Sequence, residues 1–155
     1  DIMNTISMNE AAEYYVSRSS SFDRPYAASM HKADGSLIRN LQKMNVEKVM
    51  EQGLQAPEQV VFKAADGQTD LVGLVYKPAD FDPTKTYPIV LPLYGGPAYQ
   101  DVTNGYKNAD SYQRLAQLGY IVIRANYRGS GNRGKAFATL HYGKLGTLEI
   151  DDYHR

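Results

Sequence analysis

Tyr94-Gly95-Gly96-Pro97 follows directly on the apolar run 87–93. A tyrosine hydroxyl donates a hydrogen bond, and two adjacent glycines let a backbone come close to a bound substrate. At the end of a parallel strand this combination can hold the negative oxygen of a carbonyl under attack. The loop after the third strand does so in acyl-transfer enzymes of α/β architecture. Tyr94 is therefore the expected oxyanion-hole donor, although Gly-Gly-Pro after a strand also reads as a plain turn. The serine nucleophile of that chemistry sits in Gly-x-Ser-x-Gly, a spacing found nowhere in the 155 residues. The expectation is half of an active site without its nucleophile.

Other residues of catalytic type are arranged less favourably. Gly129, Gly131 and Gly134 spell Gly-x-Gly-x-x-Gly, and Glu149 falls about 20 residues beyond Gly129, the spacing of a dinucleotide-binding fingerprint. That fingerprint needs its acidic residue at the end of a second strand. Residues 135–148 contain Gly143 and Gly146 and no apolar strand, and three strand-like segments already precede the motif. No cofactor is expected. Ser130 lies between two glycines but lacks the nucleophile-elbow spacing. The only histidines are His31, in the strand-rich N-terminal part, and His141 and His154, in a polar tail. Each reads as a surface histidine rather than a base. No pair of His, Asp or Glu has metal-ligand spacing, so no metal is expected.

Composition narrows the partners. Seventeen basic and seventeen acidic residues cancel, which argues against nucleic acid or an anionic membrane. No apolar run approaches the roughly 20 residues of a membrane span. The absence of cysteine excludes disulfides, thiolate metal sites and cysteine nucleophiles while leaving the compartment open. The chain opens on Asp1-Ile2-Met3, already inside strand-like sequence, so its natural N-terminus is expected upstream.

The elements that must position Tyr94 fall into two kinds. Residues 1–43 read as short antiparallel strands: Ala12, Tyr14 and Val16 alternate with polar neighbours, as do Tyr26, Ala28 and Met30, and Asp34-Gly35 is a hairpin turn into residues 37–41. Residues 44–56 read as a short helix or irregular connector ending before Pro57. Beyond it, 58–64 and 70–76 are strands joined by a turn at Asp66-Gly67, and 87–93 reads as a strand buried on both faces. A helix over 110–118 presents Tyr112, Leu115 and Ala116 on one face and ends at Gly119. An apolar strand at 120–125 completes a parallel βαβ unit, and residues 135–155 are helical in part.

In order along the chain, Asp66-Gly67-x-x-x-Leu71-x-Gly73, Tyr76-Lys77-Pro78, Phe81-Asp82-Pro83, Tyr87-Pro88 and Leu93-Tyr94-Gly95-Gly96-Pro97 are followed by Leu115-Ala116-x-x-Gly119-Tyr120. Arg128-Gly129-Ser130-Gly131-x-x-Gly134 and Leu145-Gly146-Thr147-x-Glu149-x-x-Asp152 close the series. This pattern resembles the prolyl oligopeptidase family of serine peptidases, in its dipeptidyl peptidase IV branch. The resemblance implies an α/β fold: residues 1–43 as the last blade of a β-propeller, 44–57 as a connector, and 58–155 as the N-terminal half of an α/β-hydrolase domain. It also implies a peptide substrate and removal of N-terminal dipeptides with proline or alanine second. Tyr94 matches the tyrosine whose hydroxyl stabilises the tetrahedral oxyanion beside the N–H that follows the nucleophile. The three glycines of 129–134 match a turn that the family uses structurally.

The pattern departs from the branch in two places. Relatives of dipeptidyl peptidase IV usually have Asp, often followed by Gly, where this chain has Asn126-Tyr127. Asn-Tyr-Arg-Gly-Ser is more typical of the acylaminoacyl-peptidase branch, which in turn usually carries His where this chain has Tyr94. In the family the nucleophile comes one helix and one strand after Asp152, with the acid and histidine further on, and the glutamates that hold the substrate's amino terminus lie upstream. The 155 residues alone are thus expected to be inactive, and a noncatalytic fragment or interaction module stands as the alternative to a peptidase segment. If the polypeptide ends at Arg155, the strand at 87–93 is left as an open edge and a homodimer is expected. Bacterial relatives are often exported, which leans the compartment toward the periplasm or secretion.

Overall fold

The computed structural model describes residues 3–22, 24–97, 99–107 and 110–154. Asp1, Ile2 and Arg155, named above, lie outside them. The chain divides into two compact units, residues 1–53 with 104–108, and residues 54–103 with 109–155.

The first unit is a four-stranded antiparallel meander. Strands β1 (Met3–Met8), β2 (Tyr14–Ser21), β3 (Arg24–Lys32) and β4 (Leu37–Lys43) lie in the order β1-β2-β3-β4. Its turns are built by short polar side chains. The Asn9 carboxamide oxygen accepts the N–H groups of Glu13 and Tyr14, which closes the β1–β2 connection. At the β3–β4 hairpin Gly35 takes φ +88°, and Asp34 accepts the Ser36 N–H. Apolar side chains on both outer strands stay exposed, among them Ile6, Met8, Leu37 and Leu41. Helix α1 (Val46–Glu51) follows, its first turn capped by the Asn45 side chain.

The second unit holds the parallel pair that positions Tyr94. Strands β5 (Glu58–Lys63), β6 (Asp70–Tyr76), β7 (Ile89–Val90) and β8 (Ile121–Ala125) form a sheet in the order β5-β6-β8-β7. β5, β6 and β8 pair antiparallel, while β7 and β8 pair parallel around helix α2 (Ser111–Ala116). Short helices α3 (Lys135–Ala138) and α4 (Leu148–Tyr153) follow. Leu71, Leu74, Tyr76, Ala116, Val122 and Tyr127 make the core. At the β5–β6 turn Gly67 takes φ +69°, and donors from Thr69 and Gln68 hold the Asp66 carboxyl down at about 2.

Two expectations are corrected here. The apolar run 87–93 is a strand only at Ile89–Val90, and Ile89 is 63% exposed rather than buried on both faces. Pro88 and Pro92 contribute no N–H, and β7 lies at the edge of the sheet, with β8 as its neighbour. The α2 face toward the core is Gln113 with Ala116, Tyr112 and Leu115 being half-buried. Asp110 caps this helix through the N–H groups of Tyr112 and Gln113 and also accepts the buried Tyr76 hydroxyl at 2.7 Å.

Candidate active site

Tyr94 stands four residues past β7, on the loop that leaves the carboxyl end of the parallel strand. Its side chain is 55% exposed and packs edge-on against Tyr99, with ring centroids 4.4 Å apart. The ring lies over Gly96 so closely that a Cβ there would come within 2.7 Å of the Tyr94 hydroxyl. Only glycine leaves room for it. The hydroxyl of a tyrosine this exposed, at a strand's carboxyl end, can donate to charge developing on a substrate oxygen.

The backbone under Tyr94 is held by residues from elsewhere in the chain. The hydroxyl of fully buried Tyr127 donates to the Gly96 carbonyl oxygen at 2.5 Å. Glu149, 5% exposed, accepts the Gly146 N–H at 2.5 Å and lies against Gly95. Further along, the Gly131 N–H donates to the Tyr99 carbonyl at 3.1 Å and the Tyr99 hydroxyl to Asp101 at 3.2 Å. Asp101 and Arg124 form a buried, two-pronged ion pair: Arg124 Nε donates to Oδ2 at 2.8 Å and a terminal nitrogen donates to Oδ1. Although burial opposes its charge, Asp101 keeps the guanidinium protonated well beyond its ordinary range. Arg124 also lies over the Tyr112 ring, 4.4 Å from its centroid.

Asp152 ties three segments together. Its buried carboxylate accepts the Ala65 N–H at 3.0 Å, the Arg128 N–H at 2.8 Å and the Arg128 guanidinium at 2.8 and 2.9 Å. Both oxygens have donors, so the group reads as a structural anchor rather than as an acid or base. Asn126 does similar work, accepting the Val102 N–H at 2.9 Å and donating to the Val102 carbonyl at 3.1 Å. An aspartate could accept but not donate, and would press a buried anion on that carbonyl. Asn126→Asp is expected to cost about 1–3 kcal/mol of stability, more at neutral than at acid pH. Urea unfolding at the two pH values reads it, and equal midpoints for variant and parent would contradict the pairing.

The remaining candidates are placed as follows. His141 is buried at 3% exposure, not on the surface as expected from its polar surroundings. The reason is Gly129, whose φ of +103° and missing side chain leave the space that the imidazole fills. Ser130 is buried too, and neither its Oγ nor His141 Nδ1 has a hydrogen-bond partner among the described residues, so the two do not form a nucleophile–base pair. His31 pairs with the Ser29 hydroxyl at 2.9 Å and stacks on Tyr15, while His154 is exposed. Glu149 belongs to the first turn of α4 and does not end a strand, so the dinucleotide spacing is not realised. Among the described residues no cluster of His, Asp or Glu could hold a metal ion, and no helix is long and apolar enough to cross a membrane.

The placement of Tyr127 and Glu149 beneath the Tyr94 loop, and the Asp101–Arg124 pair, were not foreseen from sequence. One signal existed: Arg124 interrupts the apolar strand Ile121–Ala125, and a charge in a buried strand requires a partner.

Residues 107–155 match the prolyl oligopeptidase family. Dipeptidyl peptidase 8 of human and of mouse is 44% identical over 98 residues, which is 62% of this chain and 11% of those proteins. Among solved structures, dipeptidyl peptidase 4 of Porphyromonas gingivalis superposes with a TM-score of 0.82 at 29% identity, over 97% of this chain and 22% of that one. A Bacteroides ovatus structure described as a dipeptidyl aminopeptidase IV gives 0.83 at 32% identity, over 99% of this chain and 22% of that one. The chain thus spans only a minor part of the proteins it matches. Its α/β fold class, an antiparallel sheet ahead of a partial hydrolase-type sheet, agrees with theirs.

Proposed function

We propose that this chain, which belongs to the prolyl oligopeptidase family, is the segment of a serine exopeptidase that carries the oxyanion-hole tyrosine. In this reading residues 1–43 form the terminal propeller blade, 44–57 the connector and 58–155 the N-terminal half of the hydrolase domain. The substrate is a peptide with a free amino terminus, cleaved after a second-position proline or alanine. As a serine oxygen bonds to the carbonyl carbon, the carbonyl oxygen takes up negative charge and the Tyr94 O–H donates to it. The observation that carries this is the exposed Tyr94 side chain beyond a parallel strand, mounted on a turn whose Gly96 carbonyl is tied down by a buried donor.

The nucleophile, acid and histidine are not among these 155 residues. A fluorophosphonate probe, which tags activated serines, is expected to leave the isolated segment at unchanged intact mass and to tag the whole polypeptide once. A tagged segment would mean that a serine such as Ser130 is activated after all. Asn126-Tyr127 favours a second reading, a broader oligopeptidase like the acylaminoacyl peptidases. Gly-Pro and Ala-Ala anilides, with and without an acetylated amino terminus, separate the two: the exopeptidase reading requires the free amine. In the isolated segment the short β7 edge, with Pro88 and Pro92 beside it, has few donors for a second copy, and sedimentation decides whether it still pairs as a homodimer.

A further inference from the structure

Two consecutive glycines have more conformational freedom than any other pair, so a donor mounted beside them is poorly aimed unless the backbone is fixed from outside. Tyr127 supplies such a fixing point. Its ring is buried beside Tyr153 and His141, with centroids 6.0 and 6.5 Å away, and its hydroxyl ends on the Gly96 carbonyl oxygen at 2.5 Å. Burial, with the nearby Glu149 carboxylate next in weight, pushes the Tyr127 phenol up to about 12, so it keeps the proton it donates. The Glu149 side chain packs against the neighbouring glycine. Gly146 anchors that carboxylate, and a Cβ at Gly95 would lie 2.7 Å from its Oε1 and 2.8 Å from its Cγ.

We propose that Tyr127 is a positioning residue for Tyr94, fixing with Glu149 the two successive glycines that aim the Tyr94 hydroxyl. The inference rests on Tyr94 acting as the oxyanion donor. It gives a task to the tyrosine that sets this chain's Asn126-Tyr127 pair apart from the Asp-Gly of many dipeptidyl peptidase IV relatives.

The test is a double-mutant cycle in the whole polypeptide, assayed on a dipeptidyl anilide. Tyr127→Phe keeps the ring and removes the tie, and is expected to lower kcat about tenfold with KM changed by less than about twofold. In a Tyr94→Phe background the same change is expected to alter kcat by less than about twofold, because a residue acting only through Tyr94 has nothing left to aim. A purely structural role would lower kcat by the same factor in both backgrounds and would overturn the proposal, as would a Tyr127→Phe enzyme with the parent's kcat. A silent Tyr94→Phe overturns the oxyanion reading and this inference with it. A damaging Tyr94→Phe with an additive Tyr127→Phe overturns this inference alone. Should Tyr127→Phe not fold, Gly95→Ala sets a methyl against Glu149 and tilts the same turn. It is expected to lower kcat, with KM retained, and to be silent on Tyr94→Phe; a parental kcat there overturns the proposal.

Discussion

Tyr94→Phe in the whole polypeptide is expected to lower kcat by about 10²–10³-fold, the loss typical of one oxyanion donor. The substitution removes a single oxygen. The phenyl ring still packs on Tyr99 and still covers Gly96, so the turn keeps its shape and the variant should unfold at the parent's temperature. An interaction made only when the carbonyl oxygen carries charge affects kcat and kcat/KM alike and leaves KM nearly unchanged. The comparison of kcat with KM therefore separates a donor in the transition state from a residue that merely binds peptide. A raised KM at constant kcat would make Tyr94 a substrate contact, and unchanged turnover would leave it a surface tyrosine. Labelling by the fluorophosphonate should slow in parallel, since its phosphoryl oxygen develops comparable charge.

Tyr94 stands out as a candidate in the sequence because its residue types are compressed into four contiguous positions after an apolar run. The sheet could be read for a related reason: alternation, the Asp34-Gly35 and Asp66-Gly67 turns and the strand–helix–strand run are all local signals. What holds the site is of another kind. Tyr127 reaches Gly96 across 31 positions, and Asp152 reaches Ala65 across 87. No periodicity links such pairs, since tertiary packing alone brings them together. His141 went wrong for the same reason. A histidine in a polar stretch looks exposed until Gly129, with its positive φ, is seen to make a space for it. The overlong β7 is a failure of a different sort: hydrophobic character was read as pairing, while Pro88 and Pro92 remove the donors that pairing needs.

Asp101→Ala is expected to destabilise the second unit by about 3–5 kcal/mol, the cost of leaving one member of a buried ion pair alone. Arg124 cannot escape by losing its proton, because a guanidinium stays charged at any accessible pH. Its remaining neighbours are weaker partners: the Asp110 carboxylate at 3.7 Å, the Asp101 backbone oxygen at 2.9 Å and the Tyr112 ring. Calorimetry should show the midpoint falling by on the order of 10 °C. Asp101→Asn, which keeps the shape and one acceptor, should fall less. The pair Asp101→Ala with Arg124→Met removes the orphaned charge and is expected to recover much of the loss, since apolar replacements of a buried pair are often neutral. If Asp101→Ala unfolded within about 1 kcal/mol of the parent, the pair would be no stronger than a surface bridge. The loss should also reach the Tyr94 loop. Asp101 accepts the Tyr99 hydroxyl, and the Tyr99 ring is the surface against which Tyr94 rests. Below its melting temperature Asp101→Ala should therefore show reduced kcat, whereas a fully active variant would mean that Tyr94 is held without Tyr99.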